Sequence, residues 1–260
     1  MNEHESVLAI IGQKNKVPFT IDRARTALIV IDVQHYFVDA GDNFGQLFER
    51  LVPGVTAGYF KRVRERVLPN IRSLQKAFRD ASMPILYTAT GTRTGDGRDL
   101  PGWLRELDNL GLAVLGQRIW PREGERQWQV DESIAPLPGE PVFMKCSSGP
   151  VASTRMDQTL RNMGIDTVLV TGLTTDVCTT QTARELADRG FSTVLVEDAT
   201  TTLSEEMHNG AVQCFNIAFG RVRSTSEVIA MLEQTQTSST AFTDIPVVPL
   251  ADQPVNVLPA

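Results

Sequence analysis

Residues 26–33 (TALIVIDV) constrain the fold most: five consecutive apolar side chains run into a carboxylate, Asp32. An unbroken apolar run, without polar alternation, suits a strand buried on both faces in the middle of a parallel sheet. A carboxylate closing such a run is costly to bury without a partner or a task. The carboxyl edge of an open α/β sheet is also where ligands bind. Taken alone, Asp32 fits a helix cap or a loop acid equally well.

Further short apolar runs lie at 84–88, 141–149, 167–171 and 191–198, with a last strand at 221–223. Helical patterns separate them at 55–67, 69–81, 101–110, 151–163, 176–189, 205–219 and 226–234. In the second of these, Ile71, Leu74 and Phe78 share one face. Strands alternating with helices predict an α/β fold with a mainly parallel sheet, and 260 residues suit one such domain. The aromatic segment 34–53 reads as a loop over a site, and 91–120 as a long crossover.

The stretch 167–190 (TVLVTGLTTDVCTTQTARELADRG) reads as a strand, a corner at Gly172 and a helix, with Asp176 as N-cap and Gly190 as the stop. Cys178 then falls in the first helical turn, where unpaired N–H groups and the helix dipole favour a thiolate. A buried structural role is the commoner fate of a single cysteine. Lys145 ends the strand in 141–149, so three strand ends bring an acid, an amine and a thiol to one edge. Asp32 could deprotonate Cys178 and return the proton to a departing amine, with Lys145 holding the charges. The backbone N–H groups of Thr174 and Cys178 would form an oxyanion hole.

The net charge of −6, without a dense basic cluster, argues against nucleic acid or an anionic membrane as partner. Three widely spaced cysteines and no C-x-x-C make no disulfide framework, and the acidic start with its short apolar run is neither a signal peptide nor a membrane span. The expectation is a cytoplasmic protein.

Three ordered motifs, D-x-Q-x-x-F at 32–37 (DVQHYF), a strand-ending Lys145 and T-G-x-x-T-x-x-C at 171–178 (TGLTTDVC), resemble the isochorismatase-like cysteine hydrolases. The resemblance runs from about residue 27 to 232. It implies a three-layer α/β/α, Rossmann-like sandwich with a six-stranded parallel sheet in which the lysine ends a middle strand. It further implies a homodimer or homotetramer, an Asp32–Lys145–Cys178 triad and a cis peptide between Leu173 and Thr174. The domain is expected over 23–235, with an extension at 1–22 and an arm at 236–260. Members with the cysteine are usually amidohydrolases that release ammonia through a thioester; members without it hydrolyse the vinyl ether of isochorismate. Cys178 therefore favours C–N cleavage, and the 174–190 string is most similar to members that cleave ureides such as biuret and carbamoylsarcosine. Isochorismate-type ether hydrolysis, and a non-catalytic or redox-sensing role on the same scaffold, are the alternatives.

Metal-binding relatives use a D-x-H arrangement with a further His; His35 is in the first loop but 91–98 holds none, so neither metal nor cofactor is expected. Where many members carry a Phe after the lysine turn, this chain has Pro150, Val151 and Ala152. Candidate substrate-binding residues are Gln34, Tyr36, Phe37, Arg93, Trp103 and Gln213, which supply an aromatic wall and polar donors for a small amide or ureide. His208 is expected to bond structurally, Cys214 to sit in the core and Cys146 to point away from the triad.

Overall fold

The chain, a computed structural model describing residues 2–17 and 19–238, is built on a six-stranded, all-parallel sheet. Helix α1 (Glu3–Asn15) leads into β1 (Thr26–Ile31). Then come α2 (His35–Val38), α3 (Asn43–Leu51), α4 (Ala57–Arg62), α5 (Leu68–Asp80), β2 (Ile85–Thr90), α6 (Gly102–Leu115) and β3 (Val142–Lys145). The second half is α7 (Met156–Asn162), β4 (Thr167–Leu173), α8 (Thr180–Asp188), β5 (Ser192–Thr201), α9 (Glu205–Ala218), β6 (Arg221–Arg223) and α10 (Thr225–Ser238). Among the described residues no helix is long and apolar enough to cross a membrane.

The strand order is β3-β2-β1-β4-β5-β6. Chain direction across the sheet reverses between β1 and β4, the switch point where open α/β sheets open a crevice at their carboxyl ends. Alternation along β1 sends Leu28 and Val30 into the core under α2–α5 and α10, and Ala27, Ile29 and Ile31 into the core under α7–α9. Every residue of β1, β2 and β4 is buried, which is why their sequences do not alternate.

Several expectations need correction. The segment read as a loop at 34–53 holds α2 and α3, and Phe44, Leu47 and Phe48 fall at helical spacing. Helix α6 runs on to Leu115 and stops at Gly116, which has φ 70°. The expected helix at 151–163 begins at Met156, because Ser153 and Thr154 hydroxyls bond back to the carbonyls of Gly149 and Pro150 and hold a turn. Asp176 is not an N-cap: a π turn, Thr175–Thr179, precedes α8, and Thr174 occupies the cap position. Lys145 ends an edge strand, not a middle one. Cys214 is exposed on α9, not in the core. Within the expected extension, α1 is closed by an Asn2–Glu5 capping box and held to the end of α9 by Lys14, whose ammonium reaches the carbonyls of Asn216 and Gly220. The expected arm at 236–260 lies outside the described residues from 239 onward, and α10 extends to 238.

Gly172 makes the corner possible. Its φ is 109°, and a Cβ there would stand 2.1 Å from the Ile31 carbonyl oxygen. Gly172→Ala is expected to cost ~4 kcal/mol or more, read by denaturant unfolding. Gly12→Ala, with no atom within 4 Å of the new methyl, should instead stabilise α1. Equal effects of the two would contradict the assigned role of Gly172.

Candidate active site

The strand ends meet as the sheet dictates. Asp32 follows β1 with φ 49°, a left-handed turn that swings its carboxylate over the sheet edge. Its neighbour β2 supplies Thr88, whose hydroxyl donates to Asp32 Oδ1 at 2.6 Å. Lys145 starts two strands away and only a long side chain can cross β2; its Nζ lies 2.7 Å from Asp32 Oδ2. The same ammonium donates to the Ser147 carbonyl at 2.8 Å and to Cys178 Sγ at 3.4 Å. Asp32 and Lys145 side chains are 0% exposed and Cys178 is buried.

Cys178 is set by the π turn, in which the Thr179 N–H donates to the Thr174 carbonyl at 3.1 Å. Thr182 caps the cysteine carbonyl at 2.6 Å, and Thr175 joins Thr200 and His208 Nδ1, each at 2.9 Å. His208 thus bonds structurally, and burial, followed by Arg66, lowers its pKa and keeps the ring neutral. The Leu173–Thr174 peptide is cis.

Burial pulls a buried ammonium down, yet Asp32 and then Cys178 hold Lys145 above its ordinary value. For Cys178 burial dominates: the thiol is pushed up to about 12, Lys145 pulls against this and Asp32 adds to it. The expected thiolate is therefore corrected to a resting thiol. Desolvation and the adjacent carboxylate outweigh the turn's N–H groups and the ammonium. The chemistry such a set offers is a nucleophile made at need, by proton transfer to Asp32.

Above the cysteine opens a cavity of about 230 Å³. Of the six candidate substrate residues, Phe37 and Trp103 line it. Gln34 does not; it is fully buried and clamps both backbone groups of Thr90 together with the Trp128 carbonyl. Tyr36 is buried behind Phe37 and Trp120 and faces a second cavity lined by Arg118 and Gln127. Arg93 points outward to Glu123 at 3.1 Å, and Gln213 on α9 is not on the wall. Sequence reasoning missed Phe44, Phe48, Trp120, Leu203, Met207 and Asp176. The Phe44–Phe48 pair at i,i+4 was the one readable signal. Cys146 turns to Asp99 at 3.3 Å, away from the cavity.

His35, Asp131 and Glu132 are the one group among the described residues whose atoms, within 4.8 Å of one another, could hold a metal. The two carboxylates address different ring nitrogens, at 4.0 and 3.1 Å, as in a doubly paired histidine, and the group does not line the 230 Å³ cavity.

Comparison with known proteins adds relatives to this geometry. Residues 26–227 match the family described as Isochorismatase domain. Ureidoacrylate amidohydrolase RutB of Methylobacterium radiotolerans is 26% identical over 218 residues, covering 79% of this chain and 78% of the relative. N-carbamoylsarcosine amidase of an Arthrobacter species is 26% identical over 162 residues, covering 61% of this chain and 52% of that protein. The crystal structure of a cysteine hydrolase from Pseudomonas syringae pv. phaseolicola superposes with a TM-score of 0.68 at 24% identity, covering 84% of this chain and 97% of the other.

Two measurements check the electrostatics. In a Cys146→Ser, Cys214→Ser background, the rate of Cys178 alkylation by iodoacetamide should climb about tenfold per pH unit between about pH 8 and pH 10. A plateau near or below the ordinary thiol value of 9.0 would contradict the raised pKa. Lys145→Met should destabilise the fold by about 3–5 kcal/mol in denaturant unfolding, since it strands the Asp32 carboxylate in the interior.

Proposed function

The chain belongs to the isochorismatase family, and on that footing we propose that it is a cysteine-dependent amidohydrolase that cleaves a C–N bond of a small carboxamide or ureide and releases ammonia. The observation that carries this reading is the buried contact set at the cavity floor, with Lys145 Nζ 2.7 Å from Asp32 and 3.4 Å from Cys178 Sγ. The names of two relatives, an amidohydrolase of ureidoacrylate and an amidase of N-carbamoylsarcosine, support C–N cleavage.

In this reading Asp32 takes the Cys178 proton as Sγ attacks the carbonyl carbon. The S–C bond forms and the carbonyl electrons move to oxygen, where the N–H groups of Thr174 and Cys178 receive the charge. Asp32 then protonates the nitrogen, the C–N bond breaks and ammonia leaves. What remains is a thioester, or a thiocarbamate when the substrate is a ureide. Water attacks it with Asp32 as base, and the proton returns to Sγ as the S–C bond breaks. Lys145 stays protonated throughout, in keeping with the upward shift that Asp32 and Cys178 give it. It offsets the charge that alternates between Asp32 and Cys178.

The test is ammonia release from a panel of biuret, N-carbamoyl amino acids, maleamate, nicotinamide and simple aryl amides. Cys178→Ala and Asp32→Asn should each lose activity by at least about a thousandfold, mostly in kcat. Turnover that persists in Cys178→Ala would overturn the cysteine mechanism.

A further inference from the structure

The cavity's charge pattern discriminates among amides. Phe37, Phe44, Trp103 and Trp120 make most of its wall apolar and aromatic, and among the described residues lining it the one charged side chain is Asp176. Asp176 sits two residues before Cys178 in the π turn. Its Oδ1 is buried and has no hydrogen-bond partner among the described residues. That oxygen is sealed from the cavity, so the rest of the half-buried carboxylate is what lines it. A carboxylate set in an apolar wall is costly without a donor, and a ligand N–H is a group that would satisfy it.

Among the described residues no cation lines that wall to balance Asp176 or to receive a second carboxylate. Lys145 is fully buried and committed to the Asp32 ion pair, to the Ser147 carbonyl and to Cys178. Arg62 lies behind the wall, committed to Thr201, to the carbonyls of Thr202 and Leu203, and to Glu205. Arg93 pairs with Glu123 outside the cavity.

We propose that Asp176 determines specificity, and that the substrate is an amide or ureide with an apolar, ring-sized body, an N–H donor for the cavity-facing part of the Asp176 carboxylate and no carboxylate of its own. This rests on the amidohydrolase reading of the same site. Ureidoacrylate and N-carbamoylsarcosine, the compounds named for the two relatives, both carry a carboxylate that is ionised at neutral pH. Here that group would leave water for an aromatic wall and face Asp176 with no partner, so the site rejects it. An aryl ring in its place packs against the aromatic wall.

The matched probes are benzylurea and N-carbamoylphenylglycine, which differ by one carboxylate. Wild-type kcat/KM is expected to favour benzylurea by at least about a hundredfold. Asp176→Asn should narrow that ratio at least about tenfold through opposite shifts in KM for the two probes, and Asp176→Glu should restore it. A wild-type preference for the acid, or the same ratio in Asp176→Asn, overturns the proposal. Calorimetry on Cys178→Ala separates pocket from chemistry. Benzylurea bound there and the acid not bound supports the assignment even if the wild type hydrolyses neither, an outcome that would sink the amidohydrolase reading alone. Equal binding of the two probes sinks the assignment of Asp176 whatever the turnover.

Discussion

Two charged groups with no exposure to water, Asp32 and Lys145, meet 2.7 Å apart at the carboxyl edge of the sheet, and the site depends on them. Each ion loses several kcal/mol of hydration on burial, a cost that attraction alone rarely offsets. The structure compensates with hydrogen bonds: the Thr88 hydroxyl on the carboxylate, and the Ser147 carbonyl and Cys178 sulfur on the ammonium. Packed apolar side chains would serve the fold as well or better. The pair is thus better explained by chemistry than by stability. It also explains the order of the strands: β2, lying between β1 and β3, sets the span that the lysine side chain bridges and carries the threonine that orients the acid.

The same pair governs the cysteine. A thiol beside a lone ammonium would lose its proton readily, but this ammonium is already matched by Asp32, and Cys178 is buried. Burial then decides, and the thiol stays protonated. Such a cysteine resists chance oxidation and alkylation, because the thiolate is the reactive form. Reactivity arises when an electrophile is in place and the carboxylate can accept a proton.

The sheet was legible because burial on both faces leaves its mark as unbroken apolar runs. TALIVI, TVLVT and STVLVED announce central strands, and the residues closing or following such runs include Asp32 and Cys178. The edge position of Lys145 was not legible, since strand order depends on crossovers that no local pattern records. Cavity residues fared worse for a physical reason. Gln34 has the donors and acceptors of a ligand-binding amide, but tertiary contacts with Thr90 and Trp128 take them. Phe44 and Phe48 looked like loop cover because Gly41 and Gly45 dilute the helical signal, and Asp176 fits the preference for a cap while the cap position falls at Thr174.

The two halves of the site answer to different constraints. Asp32 and Lys145 ride on strand ends whose separation is set by hydrogen-bonded register, and Cys178 on the turn that follows β4. The cavity wall rides on α3, α6 and the start of α9, helices that need an apolar inner face but not a particular one. Asp176 belongs to neither half cleanly. The turn that positions Cys178 also fixes it, so a change in the cavity's charge at this point is inseparable from the geometry of the nucleophile. Selectivity encoded there acts on the reacting end of the substrate, while the aromatic helices sort its body.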